Sequence, residues 1–128
     1  MKLLLDTHVL IWWTTNSKLL SRAGLAAIRS KQNDLFVSSA SAWEIAIKVR
    51  LGKLTFDQAF LAAFDDSLRA NNFTPLAVTA AHAITGAQLA GAHNDPFDRL
   101  LAGQALVEQM HIVSADPAMT ALGVPVVW

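Results

Sequence analysis

Short, mostly apolar runs alternate along the chain with longer segments in which apolar positions recur every three or four residues. The first pattern predicts strands and the second helices, and their alternation is that of an α/β domain with a central, largely parallel sheet. Strands are expected at Lys2 to Leu5, Leu35 to Val37, Phe73 to Val78, Ile112 to Ser114 and Val124 to Val127. A helix over Ser41 to Leu51 puts Ile45, Ala46 and Val49 on one face, and another over Pro96 to Met110 does the same for Leu101, Ala102, Ala105 and Leu106. Both are expected to pack on the sheet. A third, from about Asp57 to Asn71, gathers Phe60, Leu61, Phe64 and Leu68, and the Gly52-Lys53 step is a stop before it, so residues 41–72 read as a helical hairpin. No repeat, low-complexity tract or Pro-rich linker divides residues 1–128, which are expected to form a single domain.

Composition narrows the class. A chain of 128 residues with 53% hydrophobic letters can build one core and is too short for two. Its longest apolar runs, such as Val9 to Trp13, fall far below a membrane span, and Asp6, Thr7 and His8 interrupt the N-terminal stretch before a signal peptide could form. The mean hydropathy of +0.36 is high for a chain without such a span. Surplus apolar surface of this kind predicts a subunit or partner interface. Cysteine is absent, which excludes disulfides, thiolate metal sites and a cysteine nucleophile and suits the cytoplasm. The formal charge of zero argues against nucleic-acid binding by bulk attraction, so any nucleic acid must be gripped locally.

The candidate chemistry lies at strand ends, because open α/β sheets bind ligands in the crevice beyond the carboxyl ends of their strands. Asp6 directly follows the first strand, Glu44 falls in the first turn of the helix after the second, Asp98 in the first turn of the helix opened by Pro96, and Asp116 just after the strand ending at Ser114. Each acid taken alone has a capping explanation. Asp6 suits an N-cap, Ser41 to Glu44 a capping box, Asp95-Pro96 an N-cap with proline at N1 and Asp98 at N3, and Asp116-Pro117 another such pair. Taken together they converge on one edge of a parallel sheet, where two carboxylates about 4 Å apart repel by about 4 kcal/mol at an effective dielectric near 20. Such a cluster calls for a cation. All-oxygen ligands favour Mg²⁺ or Mn²⁺ over zinc and suit phosphodiester hydrolysis, with Glu44 placed to orient or deprotonate a water.

Four motifs then stand in order: Leu3-Leu-Leu-Asp-Thr-His8, Ser38-Ser-Ala-Ser-Ala-Trp-Glu-Ile-Ala-Ile-Lys48, Asn94-Asp-Pro-Phe-Asp-Arg-Leu-Leu101 and Ile112-Val-Ser-Ala-Asp116. With the closing Val124-Pro-Val-Val-Trp128, they span essentially the whole chain, which resembles the PIN-domain toxins of the VapC type. The resemblance implies a PIN-like three-layer fold, a central mainly parallel sheet flanked by helices. It also implies a divalent metal held by Asp6, Asp98 and Asp116, with Glu44 completing the acidic site. RNA cleavage, dimerisation and neutralisation by a small cognate antitoxin follow from it as expectations. Asp98 is chosen over Asp95 as the helix-borne carboxylate because Asp95 has the N-cap to serve. The family commonly has a basic residue before its last acid, whereas this chain has Ser114-Ala115-Asp116 and lacks that charge.

Lys48, four residues after Glu44, can pair with it or reach a phosphate, and Arg99 can contact RNA or stand as a solvated helix charge. Both are candidate substrate-binding residues. His8 and His93 are left out of the metal site, and Trp12, Trp13, Trp43 and Trp128 are expected in core or interface rather than stacked on bases. Two other classes compete. A phosphoryl-acceptor domain of the receiver type needs a late lysine, but the last one is Lys53, and the phosphatase pattern Asp-x-Asp is replaced by Asp6-Thr7-His8. A non-catalytic PIN-like binding module would use the same acids only as caps or as a cation-stabilised structural site. No glycine-rich nucleotide motif occurs.

Overall fold

Three consecutive leucines at the start of the chain, Leu3, Leu4 and Leu5, have no exposed surface, which demands cover on both faces and neighbours on both sides. The computed structural model, which describes residues 1–128, supplies both. Strand β1 (Lys2–Leu5) lies at the centre of a five-stranded sheet with β2 (Asp34–Ser38), β3 (Phe73–Leu76), β4 (His111–Val113) and β5 (Val126–Val127), in the order β3-β2-β1-β4-β5. Every pairing is parallel, with Leu4 opposite Phe36 on one side and Ile112 on the other. The all-parallel sheet agrees with the fold class expected from the sequence.

Side chains alternate across the sheet as strand geometry requires. Leu3, Leu5, Leu35, Val37 and Val113 enter one core, with Val9 and Leu10 of α1 (Thr7–Thr14), Ile28 of α2 (Arg22–Arg29), Ile45 of α3 (Ser39–Arg50) and Leu68 of α5 (Phe64–Ala70). Leu4 and Ile112 face the other, with Leu101, Ala102 and Ala105 of α7 (Pro96–Val107) and Met119 of α8 (Pro117–Ala121). Helix α6 (Ala80–Gln88) packs on α7, and the crossing is tight: a Cβ on Gly86 would be driven into the Arg99 carbonyl, and one on Gly103 into the His82 carbonyl. Glycine at both positions lets the two backbones touch.

The helix expected over residues 57–71 is broken into α4 (Gln58–Ala62) and α5 at Ala63, whose φ of −125° and ψ of 54° leave the helical region. Phe60 and Phe64 still meet edge to face at 5.6 Å across the break, so the apolar period continues although the backbone does not. The expected hairpin is altered accordingly: α3 has its main helical neighbour in α7, while α5 lies against β3. Ala46, expected on the apolar face of α3, is exposed. No helix is long and apolar enough to cross a membrane.

Topology positions the functional edge. Chain order runs outward from β1 in both directions, so the carboxyl ends of β1 and β4 flank a switch point, where an α/β sheet opens a crevice.

Candidate active site

Asp6 stands at that crevice. Its N–H still donates to Val113 O at 3.0 Å, as if the strand continued, while its carbonyl accepts from Val9 and Leu10 and starts α1. Asp6 is only 2% exposed. One carboxylate oxygen accepts from Thr7 N at 2.7 Å and the other from Ser114 Oγ at 2.7 Å, and Ser114 Oγ in turn accepts from Asp116 N at 3.0 Å. A single hydroxyl therefore couples the acid after β1 to the loop carrying the acid after β4. His8 Nε2 accepts from Ala115 N at 3.1 Å, so the imidazole proton sits on Nδ1, which faces Asp6 Oδ2 at 3.6 Å.

Glu44 lies near enough for its charge to act on Asp6, on a helix α3 that begins earlier than its sequence suggested. Ser38, not Ser41, is the N-cap, its Oγ accepting from Ala40 N at 3.0 Å. That frees Ser41 to meet Thr7 at 2.9 Å between their hydroxyls, a buried tie between α1 and α3, and leaves Glu44 inside the helix rather than in a capping box. Lys48 forms the i,i+4 ion pair with Glu44 at 2.7 Å.

Asp98 and Asp116 come from α7 and α8. Asp95 caps α7 by accepting from Phe97 N at 2.9 Å and Asp98 N at 3.2 Å, with Pro96 at the first helical position, which leaves the Asp98 side chain for the crevice. Asp116 caps α8 through Ala118 N at 2.9 Å. His93 was not expected here. Its Nε2 lies 2.7 Å from Asp98 Oδ2, and His93, Asp98 and Asp116 offer ligand atoms within 4.8 Å of one another. This ligand group contains His93, and Asp6, with hydrogen bonds on both oxygens, is not part of it.

Neighbouring charges act on both Asp6 and Asp98. Burial raises the Asp6 pKa above the ordinary carboxylate value, against the opposing pull of His8, Ser114 and Thr7, and the charge of Glu44 adds to the rise. Burial likewise pushes Asp98 up to about 6, against the His93 hydrogen bond, with the charges of Asp6, Asp95 and Asp116 raising it further. Carboxylates raised by burial and by each other are the electrostatic mark of a site suited to a cation.

Arg99, a candidate RNA contact, faces the other way. Its guanidinium donates to the carbonyls of Gly86, Leu89, Gly91 and His93, so the loop between α6 and α7 takes the donors that a phosphate would need. Of the tryptophans, Trp13 packs on Phe73 and donates to Asn71 Oδ1 at 3.2 Å, Trp12 contacts Trp128 at 5.8 Å between ring centroids, and Trp43 is exposed beside Phe97.

Ribonuclease VapC16 of Mycobacterium tuberculosis is 40% identical over 57 residues, a match that takes in 44% of this chain and 40% of that protein. Among solved structures, the fold is similar to VapBC2 of Rickettsia felis bound to a DNA fragment from its promoter, with a TM-score of 0.68, 16% identity, and coverage of 98% of this chain and 97% of that one. It is also similar to FitAB bound to the IR36 DNA fragment, with a TM-score of 0.65, 20% identity, and coverage of 97% and 92%. At those identities the structural likeness is one of fold. Residues 3–124, which include all four clustered acids, match the PIN domain model, and the chain belongs to the PIN domain family.

Proposed function

We propose that the protein is a metal-dependent endoribonuclease that hydrolyses RNA phosphodiester bonds at the acidic cluster, and that it serves as a toxin held in check by a small cognate antitoxin. The observation that carries this reading is the pair Asp98 and Asp116, which with His93 offer ligand atoms within 4.8 Å of one another, beside a buried Asp6 whose charge acts on Asp98, in a PIN-family chain. The name of the Mycobacterium tuberculosis relative supports ribonuclease activity, and those of the similar structures support a toxin with a bound partner.

The donor set suits a hard divalent cation: carboxylate oxygens dominate, cysteine is absent, and each carboxylate oxygen retains lone pairs beyond its hydrogen bonds. Mg²⁺, or Mn²⁺ in its place, would be held by Asp6, Asp98 and Asp116. When bound, it supplies positive charge to the phosphate oxygens as negative charge develops on them. Glu44 serves no helix cap and is the carboxylate placed to orient an attacking water and accept its proton. Lys48 holds Glu44 at the rim and lies within reach of a phosphate. Exposed Leu51, Ile84 and Val107 supply apolar surface for a homodimer or antitoxin contact, in keeping with a cytoplasmic protein of high mean hydropathy.

The test is RNA cleavage by purified protein in Mg²⁺ or Mn²⁺, abolished by chelator and by Asp98→Asn in a folded protein. Cleavage that survives both overturns the proposal. Co-expression with the product of an adjacent small gene is expected to yield a stable complex. A second reading, a non-catalytic PIN-like module, is favoured by Asp6 and Asp116 also capping helices and by Glu44 being paired with Lys48. Cation binding without RNA turnover would select it.

A further inference from the structure

We infer that Arg99 is a positioning residue for the acidic cluster, acting through His93, which it holds against the Asp98 carboxylate. The inference rests on the metal-site reading above for its consequence, but on hydrogen bonds alone for its mechanism. Helix α6 ends at Gln88, and the last carbonyls of a helix have no partner within it. Arg99 supplies partners to them and to the loop beyond. Its Nη1 donates to Gly86 O at 3.1 Å and Leu89 O at 2.9 Å, its Nη2 to Gly91 O at 2.9 Å, and its Nε to His93 O. Four of the five guanidinium N–H groups are thus engaged by a stretch ending at His93.

The same stretch then returns to the helix that holds it. His93 Nε2 meets Asp98 Oδ2 at 2.7 Å, and Asp98 is the residue before Arg99. Neighbours on a helix point about 100° apart. One therefore faces the crevice while the other reaches back to the loop. Contact between α6 and α7 backbones at Gly86 and Gly103 sets the distance at which the guanidinium meets its carbonyls. An aspartate carboxylate turns broadly about its last torsion. A fixed imidazole at one oxygen selects one orientation and leaves the remaining lone pairs for the crevice. Partners that orient ligating groups typically change metal affinity 10- to 100-fold.

The experiment measures Mn²⁺ affinity calorimetrically in the full chain for the parent, His93→Gln, Arg99→Gln, Arg99→Lys and the double variant His93→Gln/Arg99→Gln. Thermal unfolding is recorded for all of these proteins without metal, and the ¹⁵N resonances of the His93 ring for the parent and the two Arg99 single variants. Each Gln variant is expected to weaken Mn²⁺ binding by about tenfold, and the double variant by no more than the worse single one, because the two residues act in series. Arg99→Lys, which can serve only part of the carbonyl set, is expected to recover part of the affinity and to stand in if Arg99→Gln does not fold. In both Arg99 variants the His93 ring resonances are expected to move. A lower unfolding temperature with unchanged Mn²⁺ affinity and unchanged ring resonances would mean that the clamp only stabilises the loop, which overturns the inference. So would weaker RNA binding with a shallower salt dependence and unchanged Mn²⁺ affinity, the mark of a phosphate contact. If the parent binds no Mn²⁺, the functional proposal fails and the ring resonances alone decide whether Arg99 positions His93.

Discussion

The inner and outer halves of the acidic cluster use the same residue type in opposite circumstances. Asp6 is sealed behind the sheet edge, both oxygens accepting hydrogen bonds from groups that belong to the fold, Thr7 N and Ser114 Oγ. Asp98 lies at the mouth, with 16% of its side chain exposed, held at one oxygen by a loop histidine and facing Asp116 across the crevice. Both carboxyl groups are raised by burial, but the inner one is anchored on strand-end hydrogen bonds and the outer one on a loop clamp. The inner acid is thus part of the framework, while the outer acid depends on a segment that can be altered without opening the sheet.

The sharpest way to break the contrast is to neutralise each acid in turn. Asp98→Asn and Asp6→Asn are both expected to reduce RNA cleavage by at least ~100-fold, measured in single turnover with excess Mn²⁺. Equal activity in either variant would remove that residue from the site. Ser114→Ala attacks the tie between the inner acid and the loop that carries Asp116. It removes the donor to Asp6 Oδ2 and the acceptor of Asp116 N, and is expected to cost about 2–3 kcal/mol in denaturant unfolding, as loss of a buried hydrogen bond to a charged group does.

A smaller effect isolates the outer half through pH. Between 3.8, the ordinary value, and about 6, folded Asp98 keeps a proton that the unfolded chain has released. The stability this group contributes is therefore complete below the lower value and is lost as pH rises through the upper one. Chelator-treated protein is expected to gain about 1–2 kcal/mol from this group as pH falls from 7 to 4, after allowance for solvent screening. Asp98→Asn should flatten that part of the profile. The smallest expected change is in Lys48→Met, about 0.5 kcal/mol or less in stability, because an exposed i,i+4 pair contributes little.

These circumstances were unequally legible in the sequence. Asp6, Asp98 and Asp116 could be placed because each follows a strand or opens a helix with a local signal, and Asp95-Pro96 marked the start of α7 unambiguously. His93 could not be placed by spacing alone. It meets Asp98 from two positions before the Asp95 cap, across the start of α7. That signal was present but required the turn geometry. The direction of Arg99 depends on how closely α6 crosses α7, a tertiary fact, and α6 itself carries no clear signal because small residues blur its period. Helix α1 carries Val9, Leu10, Ile11, Trp12 and Trp13 in succession and shows no polar stripe to betray it. The break at Ala63 was hidden for the opposite reason, since the phenylalanines keep their rhythm through it.

The Ser114 hydroxyl reaches across 108 positions of chain to Asp6, and the strands that bring them together are the first and fourth of five. During synthesis, Asp6 leaves the ribosome long before its partner has been translated. Pairing of β1 with β4 must wait for that late segment, and contacts of such sequence separation are slow to form. A nascent chain therefore carries Asp6 alone for most of its synthesis, and sets the Ser114 hydroxyl against it only when nearly all of the domain has emerged.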